Sequence, residues 1–184
     1  MHRGRMMLVA GLAMIAAMGG CVTAKKIATA PPAPSASTAG HINDAGLALI
    51  KASEGLELTP YNNGNGWYVG YGHAMSGPGG AISEAQAEQY LRSDLAVCED
   101  KVAANVTAPM TANEFSAMVS LCYNLGWQNF AASSVVRNFN AGDKRGAADA
   151  FLLYTKATID GVKQEVPHLR TRRDKERALF LQAA

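Results

Sequence analysis

From Asn43 onward, apolar residues recur at helical spacing through GLALIKASEGLEL, with Leu47 and Ile50 on one side. The spacing predicts an amphipathic helix reaching about Leu58, because Pro60 disfavours helix in the residue before it. Glu54 then falls in its last turns. Next, Asn62, Asn63, Gly64, Asn65 and Gly66 are turn formers, and Trp67, Tyr68, Val69 and Tyr71 are strand formers. The stretch YNNGNGWYVGYGH therefore reads as a small β-hairpin with NNGNG at its turn. After the loop HAMSGPGGA, Ser83 with Gln86 makes a capping box that opens a helix through Val102. Thr111 with Glu114 makes a second box, and Phe115, Met118, Val119 and Cys122 form an apolar stripe that Gly126 closes. Another helix is predicted from Ser133 to Asn140 and ends at Gly142; Asp143 then leads into GAADAFLLYTKA. The last helix is predicted from about Leu169 to Gln182, with Ala178, Leu179 and Leu181 on its buried side. The pattern is α+β, mostly helices with one small hairpin near the start.

The first forty residues follow a different rule. MHRGR is a short basic start, MLVAGLAMIAAMGG is apolar and rich in Ala and Gly, and Cys21 follows at once. An apolar stretch too short for a comfortable membrane span, flanked in this way, reads as a secretory signal. The GGC ending resembles a lipobox, with Met18 where Leu is commoner. That implies a lipoprotein-type signal over residues 1–20, lipidation of Cys21, and a Pro/Ala/Ser-rich tether over residues 21–40. An uncleaved signal anchor is the alternative, and the Pro/Ala/Ser tract argues against it. A linker of about 20 residues holds a domain a few tens of Å from a membrane. The expected location is the cell envelope, exported and lipid-anchored. Val22 after the Cys, rather than Asp, favours the outer membrane facing the periplasm in a Gram-negative cell.

Composition bounds the remainder, residues 41–184. The chain has 184 residues, 48% of them hydrophobic and 17% charged, enough for one domain with a real core. Its net charge of +2 is misleading. Arg3, Arg5, Lys25 and Lys26 all precede residue 41, which leaves the domain with 13 basic and 15 acidic residues. A net charge of −2 gives no sign of general nucleic-acid binding. Six bases cluster between Lys163 and Arg177 and leave a local anionic partner open. Four scattered His without paired spacing predict no metal site, and no cofactor is expected. Cys98 and Cys122 both sit at apolar helical positions. An exported protein can bridge them, but two buried free thiols are the favoured expectation.

Five phrases, EGLELTPYNN, WYVGYGH, EFSAMVSLCYNLGWQNF with SSVVRNFNAGD, and PHLRTRRDKERALFL, together resemble the phage-type lysozymes. This is glycoside hydrolase family 24, and the likeness is strongest to lambdoid-phage endolysins. It runs in order through residues 43–182. The resemblance implies a small hairpin lobe, a helical lobe and a glycan cleft between them. It also implies a muramidase that cuts the β-1,4 link between N-acetylmuramic acid and N-acetylglucosamine in peptidoglycan. Glu54 matches the family's general acid. The family places Asp nine residues on and Thr six further; here Asn63 takes the first position and Tyr68, counted back from GYGH, the second. Asn can hold a water but cannot take its proton. Glu57, one helical turn from Glu54, is a minor candidate for a replacement carboxylate. Trp67, Tyr68, Tyr71, Asn124 and Asn129 are candidate glycan contacts, and His73 is expected to support the hairpin and cleft. Arg172 and Arg173 match the family's Arg pair, one of which faces the catalytic Glu. Two readings follow: a monomeric, lipid-tethered muramidase, or a weakened lysozyme-fold lipoprotein that binds peptidoglycan or serves as an envelope scaffold.

Overall fold

The computed structural model describes residues 40–159 and 161–182. The expected signal, Cys21 and the tether through residue 39 lie outside them.

The first helix, α1 (Asp44–Glu54), is capped by Asn43, whose side-chain oxygen accepts from the Gly46 N–H at 2.9 Å. It stops at Glu54 rather than near Leu58, because Gly55 turns the chain at φ 75°. The residues after it go into strand β1 (Glu57–Asn62). β1, β2 (Trp67–Gly70) and β3 (His73–Met75) form an antiparallel sheet in that order, with Tyr61 opposite Tyr68 and Asn62 opposite Trp67. The ladder is irregular between Glu57 and Tyr61, where Pro60 has no N–H to offer. The turn is built by its own asparagines. Asn62 Oδ1 accepts from the Gly64 N–H at 2.7 Å, and Asn63 Oδ1 from the Asn65 N–H at 3.0 Å.

The helical lobe begins with α2 (Glu84–Asn105) behind the Ser83–Gln86 capping box. The second box opens α3 (Ala112–Leu125), which is buried continuously from Glu114 to Cys122 and is the central helix of the molecule. Around it pack α1, α2, α4 (Trp127–Ala131) and α7 (Pro167–Leu181). Helices α5 (Ser134–Asn140) and α6 (Lys144–Ala150) close the far side, with Phe130, Phe139 and Phe151 fully buried. The approach of α1 to α3 is close: a Cβ added at Gly46 would lie 2.6 Å from the Ser116 Cβ.

Three further expectations change. Cys98 and Cys122 form a disulfide joining α2 to α3 rather than two free thiols, since the packing of the two helices sets their Cα atoms 5.8 Å apart. We expect its removal (Cys98→Ala with Cys122→Ala) to cost about 3 kcal/mol, the chain-entropy value for a loop of this length. Urea unfolding of the variant against the oxidised parent measures it. Second, a further hairpin is present, β4 (Lys156–Ile159) paired with β5 (Val162–Glu165), with Gly161 in the turn at φ 77°. Third, α7 buries Leu179 and Phe180, while Ala178 is exposed and Leu181 is 41% exposed. Its inward stripe is Arg172, Arg173, Glu176, Leu179 and Phe180, at helical spacing but half polar.

Candidate active site

The C-terminus of α1 delivers Glu54 to the junction between the sheet and the helical lobe, where its side chain is only 14% exposed. Arg172 reaches it from α7. The guanidinium Nη1 lies 2.5 Å from Glu54 Oε1, Nε donates to Glu176 Oε1 at 3.0 Å, and Nη2 donates to the Ser120 carbonyl at 3.2 Å. Every edge of this buried cation is therefore occupied, and its direction is set by α3 and α7 together. Burial opposes its charge, but Glu54 and Glu176 outweigh burial and hold its pKa above the ordinary arginine value.

Arg173 points into the protein beside it. Its Nη2 donates to Glu176 Oε1 and to Asn124 Oδ1, each at 3.0 Å, and its Nε lies 2.8 Å from Glu176 Oε2. Its Nη1, also buried, finds no hydrogen-bond partner among the described residues. Burial pushes its pKa down to about 10, so it still carries a positive charge at neutral pH. Glu176 is fully buried and also accepts from the Ser120 hydroxyl at 2.6 Å.

Two tyrosines complete the surroundings of Glu54. Burial, followed by the Glu54 charge, raises the pKa of both Tyr61 and Tyr123, so both are neutral donors at physiological pH. Tyr123 donates to the Tyr71 carbonyl at 3.2 Å and so pins α3 to the end of the sheet. The Tyr61 ring lies 6.0 Å from that of Tyr68 across the hairpin.

The structure thus brings Glu54 together with Arg172, and Arg173 together with Asn124. Other residues singled out in the sequence are held by contacts of their own. His73 Nδ1 lies 2.9 Å from an Asp94 oxygen and its ring stacks on Tyr90 at 4.3 Å, which ties β3 to α2. Tyr71 is buried under the Lys51 ammonium, 5.4 Å away, and Trp67 is half-buried on β2 opposite Met75. The Asn63 oxygen belongs to the turn, and its Nδ2 is buried without a partner among the described residues. Glu57 is exposed on β1 and accepts from the Thr59 N–H at 3.3 Å. Asn129 is spent on the end of α3, donating to the Leu125 carbonyl at 2.8 Å.

The basic cluster of residues 163–177 does not form one cationic surface. Arg172 and Arg173 turn inward, Arg170 pairs with Asp174, and Arg177 with Asp149 at 2.6 Å. Four of its six bases are thus paired with acids of the chain. Among the described residues no group of His, Cys, Asp and Glu is placed to hold a metal ion, and no helix is long and apolar enough to cross a membrane.

Sequence reasoning passed over Tyr123, Ser120 and Glu176. For Glu176 a signal existed: it stands four residues after Arg172, the spacing of a helical ion pair.

A guarded carboxylic acid at a helix end, between a three-stranded sheet and a helical lobe and faced by a buried arginine, places the molecule among the lysozyme-like glycoside hydrolases. The chain belongs to the phage lysozyme family, whose model matches residues 51–176. It is 38% identical over 142 residues to the endolysin of Acyrthosiphon pisum secondary endosymbiont phage 1, a match covering 76% of this chain and 97% of that one. Among solved structures it is similar to the muramidase domain of SpmX from Asticaccaulis excentricus, with 36% identity and a TM-score of 0.73 over 78% of this chain and 99% of the other. The endolysin from Escherichia coli O157:H7 phage FAHEc1 is 35% identical, with a TM-score of 0.72 over 77% and 94% of the two chains.

Proposed function

We infer that this chain is a peptidoglycan muramidase that hydrolyses the β-1,4 bond between N-acetylmuramic acid and N-acetylglucosamine, with Glu54 as its general acid. The observation that carries this is the Glu54–Arg172 contact at the junction of the two lobes, in a chain of the phage lysozyme family. A glutamic acid there protonates the oxygen of the leaving sugar as the C1–O4 bond breaks, and water completes the reaction at C1. Arg172 fixes the direction of the carboxyl group. Trp67 offers an aromatic face to a sugar ring, Tyr71 and Asn124 hold Tyr123 and Arg173, and His73 braces the sheet against α2.

Asn63 and Tyr68 occupy the places of the family's Asp and Thr. Neither takes a proton from water at neutral pH, and the Asn63 oxygen already serves the turn. Loss of general-base assistance typically costs 10²- to 10⁴-fold, so the enzyme works slowly through its acid and through positioning. No cofactor takes part.

The domain acts as a monomer on peptidoglycan, held at the outer membrane and facing the periplasm by the acylated Cys21. The full-length protein incubated with purified peptidoglycan should release muropeptides with reducing muramic acid ends, identified by mass spectrometry. Glycan that binds in a pull-down and yields no fragments would sink this reading. Cys21→Ser should move the protein from the membrane to the soluble envelope fraction without changing the fragments it makes; retention in the membrane fraction would rule out the lipid anchor.

A further inference from the structure

We propose that Glu176 is a positioning residue for this reaction: a buried counter-ion that aims Arg172 at Glu54 and balances the charge beside it. The proposal rests on Glu54 being the acid.

Geometry comes first. Arg172 is anchored at one end and working at the other. Its Nε binds Glu176 while its Nη1 binds Glu54, so one planar group links a fully buried carboxylate to the reacting one. Glu176 is itself fixed by the Ser120 hydroxyl at 2.6 Å and by two nitrogens of Arg173. Ser120 in turn contributes its carbonyl to Arg172. Removing Glu176 leaves the guanidinium with the Ser120 contacts and Glu54 alone, and Glu54 would then be both acid and anchor.

Charge comes second. With Glu54 ionised, the cluster holds two arginines and two carboxylates and is neutral. With Glu54 protonated it carries one net positive charge. The general acid works in that second state. Glu176 already balances one of the two arginines, so Glu54 is not their only carboxylate. Without it, two buried cations would share Glu54 as their only carboxylate, and its proton would be lost at lower pH. Two neutral tyrosines also face Glu54. Tyr61 comes from β1 and Tyr123 from α3; Glu57 of β1 bears on Tyr61, and Asp94 of α2, bound to His73, on Tyr123. Among the described residues none of them makes a side-chain bond to Arg172, as Glu176 does.

The signs are opposite for the two ends of the cluster, which makes the proposal testable. Activity that requires a protonated Glu54 falls on the alkaline side as that proton leaves. Glu176→Gln removes a neighbouring negative charge, so the alkaline limb moves to lower pH, by about one unit for charges at this range in a partly screened interior, with roughly tenfold lower activity at neutral pH. Arg173→Met removes a neighbouring positive charge together with its partnerless nitrogen, so the limb moves to higher pH. The double variant returns the limb to near its original place, because the cluster is again balanced.

The experiment measures muropeptide release by the full-length protein and these three variants across pH 4 to pH 9. Melting temperature is followed in parallel, with Glu114→Gln as a control. Glu114 is another buried carboxylate, paired with Lys144 in the first turn of α3. It should lose stability and leave the limb where it was. Should Glu176→Gln fail to fold, Arg173→Met alone carries the test. A folded Glu176→Gln or Arg173→Met protein whose alkaline limb coincides with the parent's overturns the proposal. Fragments lost at every pH from the parent itself would instead overturn the muramidase reading.

Discussion

Glu54→Gln should lower muropeptide release by about 10³-fold or more while leaving the fold intact. The amide has the size and shape of the carboxylic acid but no proton to transfer, and general acid catalysis by a positioned side chain contributes typically 10²- to 10⁴-fold. The loss falls at the high end here, because the site has little else to compensate. In a site with both carboxyl groups, losing one leaves the other; in the assignment proposed above the second position is Asn63. Stability should change little. Arg172 keeps Glu176 and the Ser120 carbonyl, and the end of α1 is fixed by Gly55, not by the Glu54 side chain. The measurement is the initial rate of fragment release by mass spectrometry, with thermal unfolding alongside. If Glu54→Gln retained a tenth of the parent rate, the proton would come from elsewhere, and Glu57→Gln would be the next variant to make.

The second large effect runs in the other direction. Asn63→Asp combined with Tyr68→Thr should raise the rate by about 10²-fold. The aspartate supplies what the amide lacks: a base for the attacking water and a negative charge beside the developing cation. Its oxygen can still accept from the Asn65 N–H, so the turn survives the change. Tyr68→Thr removes the ring that packs against Tyr61 and over Gly66 and leaves a hydroxyl of a size to bind water. It should cost about 1 kcal/mol of stability, the worth of an aromatic cross-strand pair. Asn63→Asp alone should gain less, since the phenol still fills its place. A double variant that folds but is no faster than the parent would mean that these positions do not manage the water.

Much of the frame was legible because its causes are local. Asn43, Ser83, Thr111 and Ser133 cap helices through bonds to residues three further along, so short stretches of chain predicted α1, α2, α3 and α5. The NNGNG turn closes on itself in the same way. The misplaced end of α1 is a contest between two local signals: Pro60 allows helix to Leu58, but Gly55 reaches a left-handed backbone at little cost and acts first. The β4–β5 hairpin was missed because its strands are four residues each and mostly exposed, which leaves no hydrophobic alternation to read.

The amino-acid sequence by itself determined the helices, their caps, the tight hairpin and the position of Glu54 at a helix end, because each depends on neighbours within a few residues. The tertiary structure alone decided what surrounds that glutamate. Arg172 meets Glu54 across 118 residues, Ser120 meets Glu176 across 56, and Cys98 meets Cys122 only once α2 lies on α3. The inward face of α7 shows why. A stripe holding two arginines and a glutamate has the spacing of a buried helix face but the polarity of a solvated one. Only partners brought from α1 and α3 make its burial tolerable, since a buried charge is stable when paired and costly when alone.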